Sequence, residues 1–395
     1  MESPWDDGWC GLKSIDIVYF EAGSGHKTAA EGLRRAVLER HPDWDCRLVD
    51  LVEILRCDPT QAGRLVCLHV DHFNACMRRE SYFGFRAMVG LGIWFSRMAT
   101  TSWFYLVRWG LSRYWRKRCP DMIVSVTPIF NAMIYQTARR VRPDVVCVTI
   151  PVDHEEMRPG YWFEPHIPQH YLIAGDRLLE QARQAGVDPA EVHTLSGMII
   201  DPGFYAPPQR NRAQLDAEFG LDPKLPLGVI SFGCQGTVNV LRIARQIAAE
   251  GLAINLLCLC GKNQQLQADV RGLETPHPCV AVGFRPEPPC DLLYAADVQI
   301  GKPGTMTLNE SIITGTPFVA LESEGLKPIQ GGNEVFVVET GIGLVARSVE
   351  NVPAAVRQVL TQPQYPGNLK RAHHTGVFDA VDEMERLLGP NKAVG

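Results

Sequence analysis

The stretch Ser14-Ile-Asp-Ile-Val-Tyr-Phe-Glu-Ala-Gly-Ser-Gly-His26 reads as a short apolar strand entering a Gly-containing turn, with a helix behind it from about Thr28 to Arg40. The same order returns at Leu227-Gly-Val-Ile-Ser-Phe-Gly-Cys-Gln-Gly-Thr237, followed by a helix to about Glu250. Strand, glycine turn and helix form the opening unit of a doubly wound parallel sheet. Two such units so far apart predict two sheets. Outward from the first, β-like runs recur at Asp45–Leu51, Met122–Val126, Val145–Ile150 and His170–Ile173. Outward from the second they recur at Ile254–Leu259, Val280–Val282, Val298–Ile300 and Phe318–Leu321. Between the two sets, Asp201–Pro226 is Pro/Gly-rich and charged, the texture of a linker. The expected architecture is α/β: two Rossmann-like, doubly wound domains facing a central cleft. Their bounds are 14–205 and 206–365. A terminal segment, 366–395, carries a helix at about Leu369–Leu388 that returns to the first domain.

The 395 residues have room for two cores, and 46% hydrophobic with 21% charged content excludes a disordered chain. A formal charge of -5 argues against nucleic acid as a partner. The 12 cysteines contain no CxxC pair, and Cys258-x-Cys260 lies in an apolar strand-like run where side chains alternate faces, so the two thiols are not expected to share a metal. They read as reduced thiols of a cytoplasmic protein. Met1–Lys13, with Asp6, Asp7 and two Trp, does not resemble a signal peptide.

Ala87–Val107 is apolar but carries Arg97 near its middle, which disfavours a membrane span. Its surroundings are basic and aromatic. Arg64–Arg118 holds ten Lys and Arg against two acids, and twelve of the chain's 33 aromatic residues. Trp94, Arg97, Trp103, Arg108, Trp109 and Trp115 all fall there. Cations and indoles interleaved on apolar helices suit the headgroup zone of an anionic membrane surface. Peripheral association is the expectation.

Chemistry concentrates in the turns. Gly25 lets a substrate approach the backbone, and His26 at the mouth of the turn could take a proton at neutral pH. The turn is not a GxGxxG, because Thr28 occupies the third position after Gly25. In the second half, Gly233, Gln235 and Gly236 line a strand-to-helix turn. Lys302-Pro-Gly304-Thr305 precedes a helix whose first N–H groups can hold phosphate. Glu310 can accept from the two hydroxyls of a ribose, and the Gln330 and Asn333 amides suit sugar hydroxyls.

In this order the motifs resemble the GT-B glycosyltransferases of family 28, above all the monogalactosyldiacylglycerol synthases and diacylglycerol glucosyltransferases. The likeness runs through Gly23-Ser-Gly-His-Lys-Thr-Ala-Ala30, Thr149-Ile-Pro-Val-Asp-His154 to Trp162, His170–Asp176, and Gly197-Met198. It continues through Leu259-Cys-Gly-Lys-Asn263, Val282-Gly283-Phe284, Lys302-Pro-Gly304 and Glu310. The family's Gly-rich loop is thinner here, Gly-Cys-Gln-Gly, and Ile329 stands where the family commonly has a polar residue before Gln330. The resemblance implies an inverting transfer of a hexose from UDP-glucose or UDP-galactose to a lipid hydroxyl such as that of diacylglycerol. It implies no cofactor and no obligatory metal, the UDP-sugar being a substrate. Uracil would meet the backbone near Gly283 and Phe284, ribose Glu310, the diphosphate Gly304 and Thr305, and the hexose Gln330 and Asn333. His26 and Asp153 are the candidate catalytic pair, with Asp153 either the base itself or the group that orients His26. Other readings stay open: a peptidoglycan-precursor or natural-product transferase, or a UDP-sugar 2-epimerase.

Overall fold

The computed structural model describes residues 13–20, 25–56, 104–322 and 327–389, with side chains from 110 and 332 onward in the two helices that begin at 104 and 327. The first half holds β1 (Ser14–Tyr19), α1 (Gly25–Arg40), β2 (Asp45–Asp50), α2 (Leu51–Arg56), α3 (Phe104–Arg118), β3 (Met122–Ser125) and α4 (Asn131–Arg139). It continues with β4 (Val146–Thr149), β5 (His170–Ala174), α5 (Asp176–Ala185) and β6 (Val192–Leu195). The strands form one parallel sheet in the order β2-β1-β3-β4-β5-β6. Alternation along β1 sends Ile15 and Ile17 to the face covered by α1, while Val18 joins Leu111 and Trp115 of α3 on the other. Both faces are therefore apolar, as a sheet sandwiched between helices requires.

The second half begins with α6 (Arg212–Phe219), β7 (Leu227–Ser231), α7 (Asn239–Ala249), β8 (Asn255–Gly261), α8 (Gln264–Arg271) and β9 (Cys279–Gly283). Then come α9 (Cys290–Ala295), β10 (Val298–Gly301), α10 (Thr305–Thr314), β11 (Phe318–Leu321), α11 (Lys327–Thr340) and β12 (Gly343–Ala346). The parallel order β12-β11-β10-β7-β8-β9 is the Rossmann order read from its far edge. The chain ends in α12 (Val352–Thr361), α13 (Gln364–Ala372) and α14 (Gly376–Leu388).

The structure differs from the sequence expectations in several places. Asp201–Pro226 is not a featureless linker. Asp201 caps a short 3-10 turn through the Gly203 N–H (2.8 Å), and α6 starts on a capping box between Asn211 and Gln214. The single terminal helix expected at Leu369–Leu388 is two helices, broken at His373–Thr375. α14 does return to the first sheet, burying Val377, Ala380, Val381 and Met384 in its core. Cys258 and Cys260, two residues apart, point to one face of β8, where Cys258 lies 3.7 Å from Cys279 of β9.

Part of the basic, aromatic run also serves the interior. Trp115 is buried with its indole N–H on Thr137, and Arg118 is paired with buried Asp16 (2.7 Å) and with Asp45 (3.1 Å). These two side chains hold α3 to the sheet rather than facing a membrane. Trp94, Arg97 and Trp103 lie outside the described residues, and Arg108 falls in the part of α3 without described side chains. No helix among the described residues is long and apolar enough to cross a membrane.

Candidate active site

Each sheet reverses its winding once, between β1 and β3 in the first and between β7 and β10 in the second. Ligands of open α/β sheets bind in the crevice outside the strand ends at that switch point. His26, at the start of α1 behind β1, and Val126, after β3, stand at the first switch point, and the loops after β7 and β10 carry Gly233–Gly236 and Lys302–Gly304. The segments singled out in the sequence, at His26, Gly233–Gly236 and Lys302–Gly304, thus lie at the switch points.

His26 is the second residue of α1, beside the exposed Gly25, and its Nδ1 lies 2.8 Å from the Val126 carbonyl oxygen. A carbonyl only accepts, so Nδ1 carries a proton, and in the neutral ring the lone pair is on Nε2. Nε2 has no hydrogen-bond partner among the described residues. The orienting group is therefore the Val126 carbonyl, and Asp153 has no bond to His26. Asp153 instead accepts from the Trp162 indole N–H at 3.0 Å, and the Trp162 ring lies 6.0 Å from that of His26. Burial pushes the Asp153 carboxyl up, against the opposing pull of nearby His26 and the indole.

The loop that supplies Val126 is strained and firmly anchored. Ile129 has φ +75°, an uncommon conformation for a β-branched residue, of the kind that clusters at functional sites. The Ile129 N–H donates to Tyr161 O at 2.8 Å, tying this loop to the Trp162 segment. Phe20 and Phe130, with ring centroids 5.6 Å apart, add an apolar element at the same end of the sheet. The Trp162 segment is itself organised by Glu156. Its Oε1 accepts from the backbone N–H of Tyr161 (2.8 Å), Trp162 (2.9 Å) and Phe163 (3.1 Å).

In the second domain the turn after β7 depends on Gly236. Its φ is +68°, and a Cβ there would overlap the Cys260 carbonyl. Gln235 is exposed at the crest of the turn, and Gly233 also adopts positive φ. Gly304 is the N-cap of α10, so the first-turn N–H groups of that helix sit beside the Lys302-Pro-Gly loop. Glu310 lies on α10, where burial, with Asp201 nearby, pushes its carboxyl up to about 7. Gly283 ends β9, and Phe284 behind it is 50% exposed with the Lys262 ammonium 4.9 Å from its ring centre. That leaves one aromatic face held by a cation at the rim.

Asn333 differs from its expected part. It is buried, its Nδ2 donates to Pro303 O at 2.8 Å, and its Oδ1 faces the Thr305 hydroxyl at 3.5 Å. Both ends of the amide shape the Lys302–Thr305 loop instead of standing open to a sugar. Gln330 falls on α11 in the part without described side chains. The sequence reading missed the Val126 carbonyl, Glu156, and a set of imidazoles at the domain junction. His154 stood within the Thr149–His154 motif, but nothing local in the sequence tied it to Asn309 or His374.

Two parallel doubly wound sheets with flanking helices match the two-domain architecture of GT-B glycosyltransferases. Solved structures agree: a kitacinnamycin glycotransferase superposes with TM-score 0.59 at 15% identity, covering 96% of this chain and 100% of that one. Homologues by sequence are more particular. The chain is 25% identical over 399 residues to monogalactosyldiacylglycerol synthase 1 of Arabidopsis thaliana, spanning 95% of this chain and 71% of the relative. It is 24% identical over 294 residues to a processive diacylglycerol beta-glucosyltransferase of Bacillus licheniformis, 71% of this chain and 73% of the relative. No protein-family model matches. These glycosyltransferase homologues, together with the shared fold, support a transferase.

Proposed function

We propose that the chain transfers a hexose from UDP-glucose or UDP-galactose to a lipid hydroxyl, diacylglycerol foremost, at an anionic membrane surface and with inversion. The observation that carries this reading is the His26 tautomer. With Nδ1–H spent on the Val126 carbonyl, Nε2 is a free base at the first switch point. It takes the proton of the acceptor hydroxyl as that oxygen bonds to the anomeric carbon. The bond from that carbon to the β-phosphate oxygen breaks, and its electron pair leaves with UDP. Attack opposite the leaving group inverts the centre. N–H groups at the start of α10 and in the Gly233–Gly236 turn stabilise the departing charge. Asp153, near His26, favours the imidazolium that forms. The loop order of the second domain and the names of the two homologues support the donor and acceptor assignments.

The direct test incubates the protein in EDTA-containing buffer with UDP-glucose or UDP-galactose and diacylglycerol vesicles, with and without anionic lipid. Products are identified by mass. A monohexosyl glycolipid, formed faster on anionic vesicles, is expected. UDP-sugar turnover without any lipid product would overturn the acceptor assignment.

Glu310 supplies a pH signature for the donor site. Ribose hydroxyls donate to a carboxylate, so UDP binding favours the ionised form of a group that is half protonated at about pH 7. UDP affinity is therefore expected to rise between pH 6 and 8, by up to about tenfold, as the acid deprotonates. Calorimetry on Glu310→Gln is the control. That variant should show only the titration of UDP itself, and an unchanged pH profile would remove Glu310 from the ribose.

A further inference from the structure

The two domains meet at a seam of buried polar side chains that the transfer chemistry does not use. Asn309, 2% exposed on α10, donates from Nδ2 to the Thr305 carbonyl at 2.8 Å. A carbonyl cannot donate, so this contact fixes which end of the amide is nitrogen. The same Nδ2 lies 3.2 Å from Nε2 of His154, on the first domain's loop after β4. His154 Nε2 must then accept, which puts its proton on Nδ1. The Asn309 oxygen faces Nε2 of His374 at 2.9 Å, so His374 donates there. Its Nδ1 is left to accept the Gly376 N–H at 3.4 Å.

Every hydrogen in this chain has one allowed position, and both imidazoles are neutral. Burial agrees, holding His154 down at about 3, with His374 adding to the effect, and His374 down at about 4.

The surroundings show that the seam is built for these rings. The His154 ring stacks on Phe336 of α11 at 3.7 Å between centroids and 14° between planes. The His374 ring lies so close over Gly197, just past β6, that any Cβ there would overlap it. Arg177 of α5 closes the rim, pairing with Glu155 at 2.8 Å and Glu339 of α11 at 3.5 Å.

The seam's neighbours in sequence are the candidate site residues. Asp153 precedes His154, and Glu310 follows Asn309. We propose that His154, Asn309 and His374 are positioning residues: a directional relay that sets the two domains in the register at which acceptor-side Asp153 and donor-side Glu310 serve one reaction. This rests on the transferase reading above. The apolar core, continuous from the first sheet to Leu227, Val229 and Met306 of the second domain, holds the domains together. Non-directional contact of that kind tolerates sliding, whereas hydrogen bonds with fixed donors and acceptors do not.

The test compares full-length Asn309→Leu, His154→Phe and His154→Gln with wild type. His154→Phe keeps a ring against Phe336 but loses the acceptor, and Gln restores an acceptor near the Nε2 position. Misregister of about 1 Å costs catalysis on the order of 10²-fold, so kcat should fall about 10- to 100-fold in Asn309→Leu and His154→Phe. UDP affinity should stay within about twofold, His154→Gln should recover most of the rate, and the double variant should be little worse than either single one. Hydrogen exchange provides a readout free of activity. Asn309→Leu, a change in the second domain, should speed exchange across 153–156 and 373–376. If Asn309→Leu fails to fold, the His154 pair makes the same comparison. Wild-type kcat in folded His154→Phe, or loss of kcat only in proportion to UDP affinity, would overturn the relay. A wild-type enzyme that transfers no sugar would overturn the transferase reading instead, and the exchange experiment would still decide the relay.

Discussion

His26→Ala is expected to lower kcat for sugar transfer by about 10²–10⁴-fold, some 3–5.5 kcal/mol of barrier, while UDP affinity holds. The split follows from the proposed roles: His26 stands at the switch point of the first sheet, and the proposed donor contacts stand at that of the second. Asp153→Asn separates two mechanisms. With the Val126 carbonyl orienting His26, Asp153 contributes only its charge and its bond to Trp162. Its amide variant should lose less than His26→Ala, on the order of 10- to 100-fold, because the lone pair on Nε2 survives. A full loss in Asp153→Asn beside a mild one in His26→Ala would make the carboxylate the base. Wild-type turnover in folded His26→Ala would end the histidine mechanism altogether.

How far the sequence alone led depended on how local each feature is. β1, β7 and β10 are apolar runs buried on both faces and followed by glycine turns, so their place was legible. β6 was missed because Val192-His-Thr-Leu195 is a short edge strand that carries two polar residues and buries only Leu195. β12, four residues behind a glycine, gave equally little signal. His26 and Gly236 could be picked out because each sits in or next to a turn with a recognisable grammar, and Glu310 because it follows the Lys302-Pro-Gly304 motif on the next helix.

Partners distant along the chain could not be found that way. The bond from His26 to Val126 spans 100 residues, and the His374–Asn309 bond spans 65. No periodicity encodes either. Asn333 shows the converse. Its residue type suits a sugar, but only the fold reveals that Pro303 and Thr305 engage its amide.

Glu156 is the case where a single side chain supports the site without touching substrate. It is 9% exposed, and one of its oxygens accepts three consecutive backbone N–H groups, those of Tyr161, Trp162 and Phe163. Its own backbone is bracketed by Gln181 of α5, which accepts from the Glu156 N–H at 2.7 Å and donates to its carbonyl at 3.1 Å. Trp162 is fully buried and holds Asp153, so the carboxylate fixes Asp153 at one remove. Glu156→Ala strands the two buried donors of Trp162 and Phe163, while the half-buried Tyr161 N–H keeps the Arg158 carbonyl at 3.1 Å. Each stranded donor costs about 1–3 kcal/mol when unsatisfied, so with some relief from entering water the sum should reach about 2–4 kcal/mol. Glu156→Gln keeps an oxygen for the same three N–H groups and gives up only the charge-assisted part, so its loss should stay near 1–2 kcal/mol. Urea unfolding of the two variants measures the difference. Where Glu156→Ala remains folded, kcat should fall while UDP affinity does not, because the damage reaches Asp153 and stops short of the second domain. Equal stability of Glu156→Ala and wild type would mean that the three N–H groups find other acceptors, and that the loop holds Trp162 without the carboxylate.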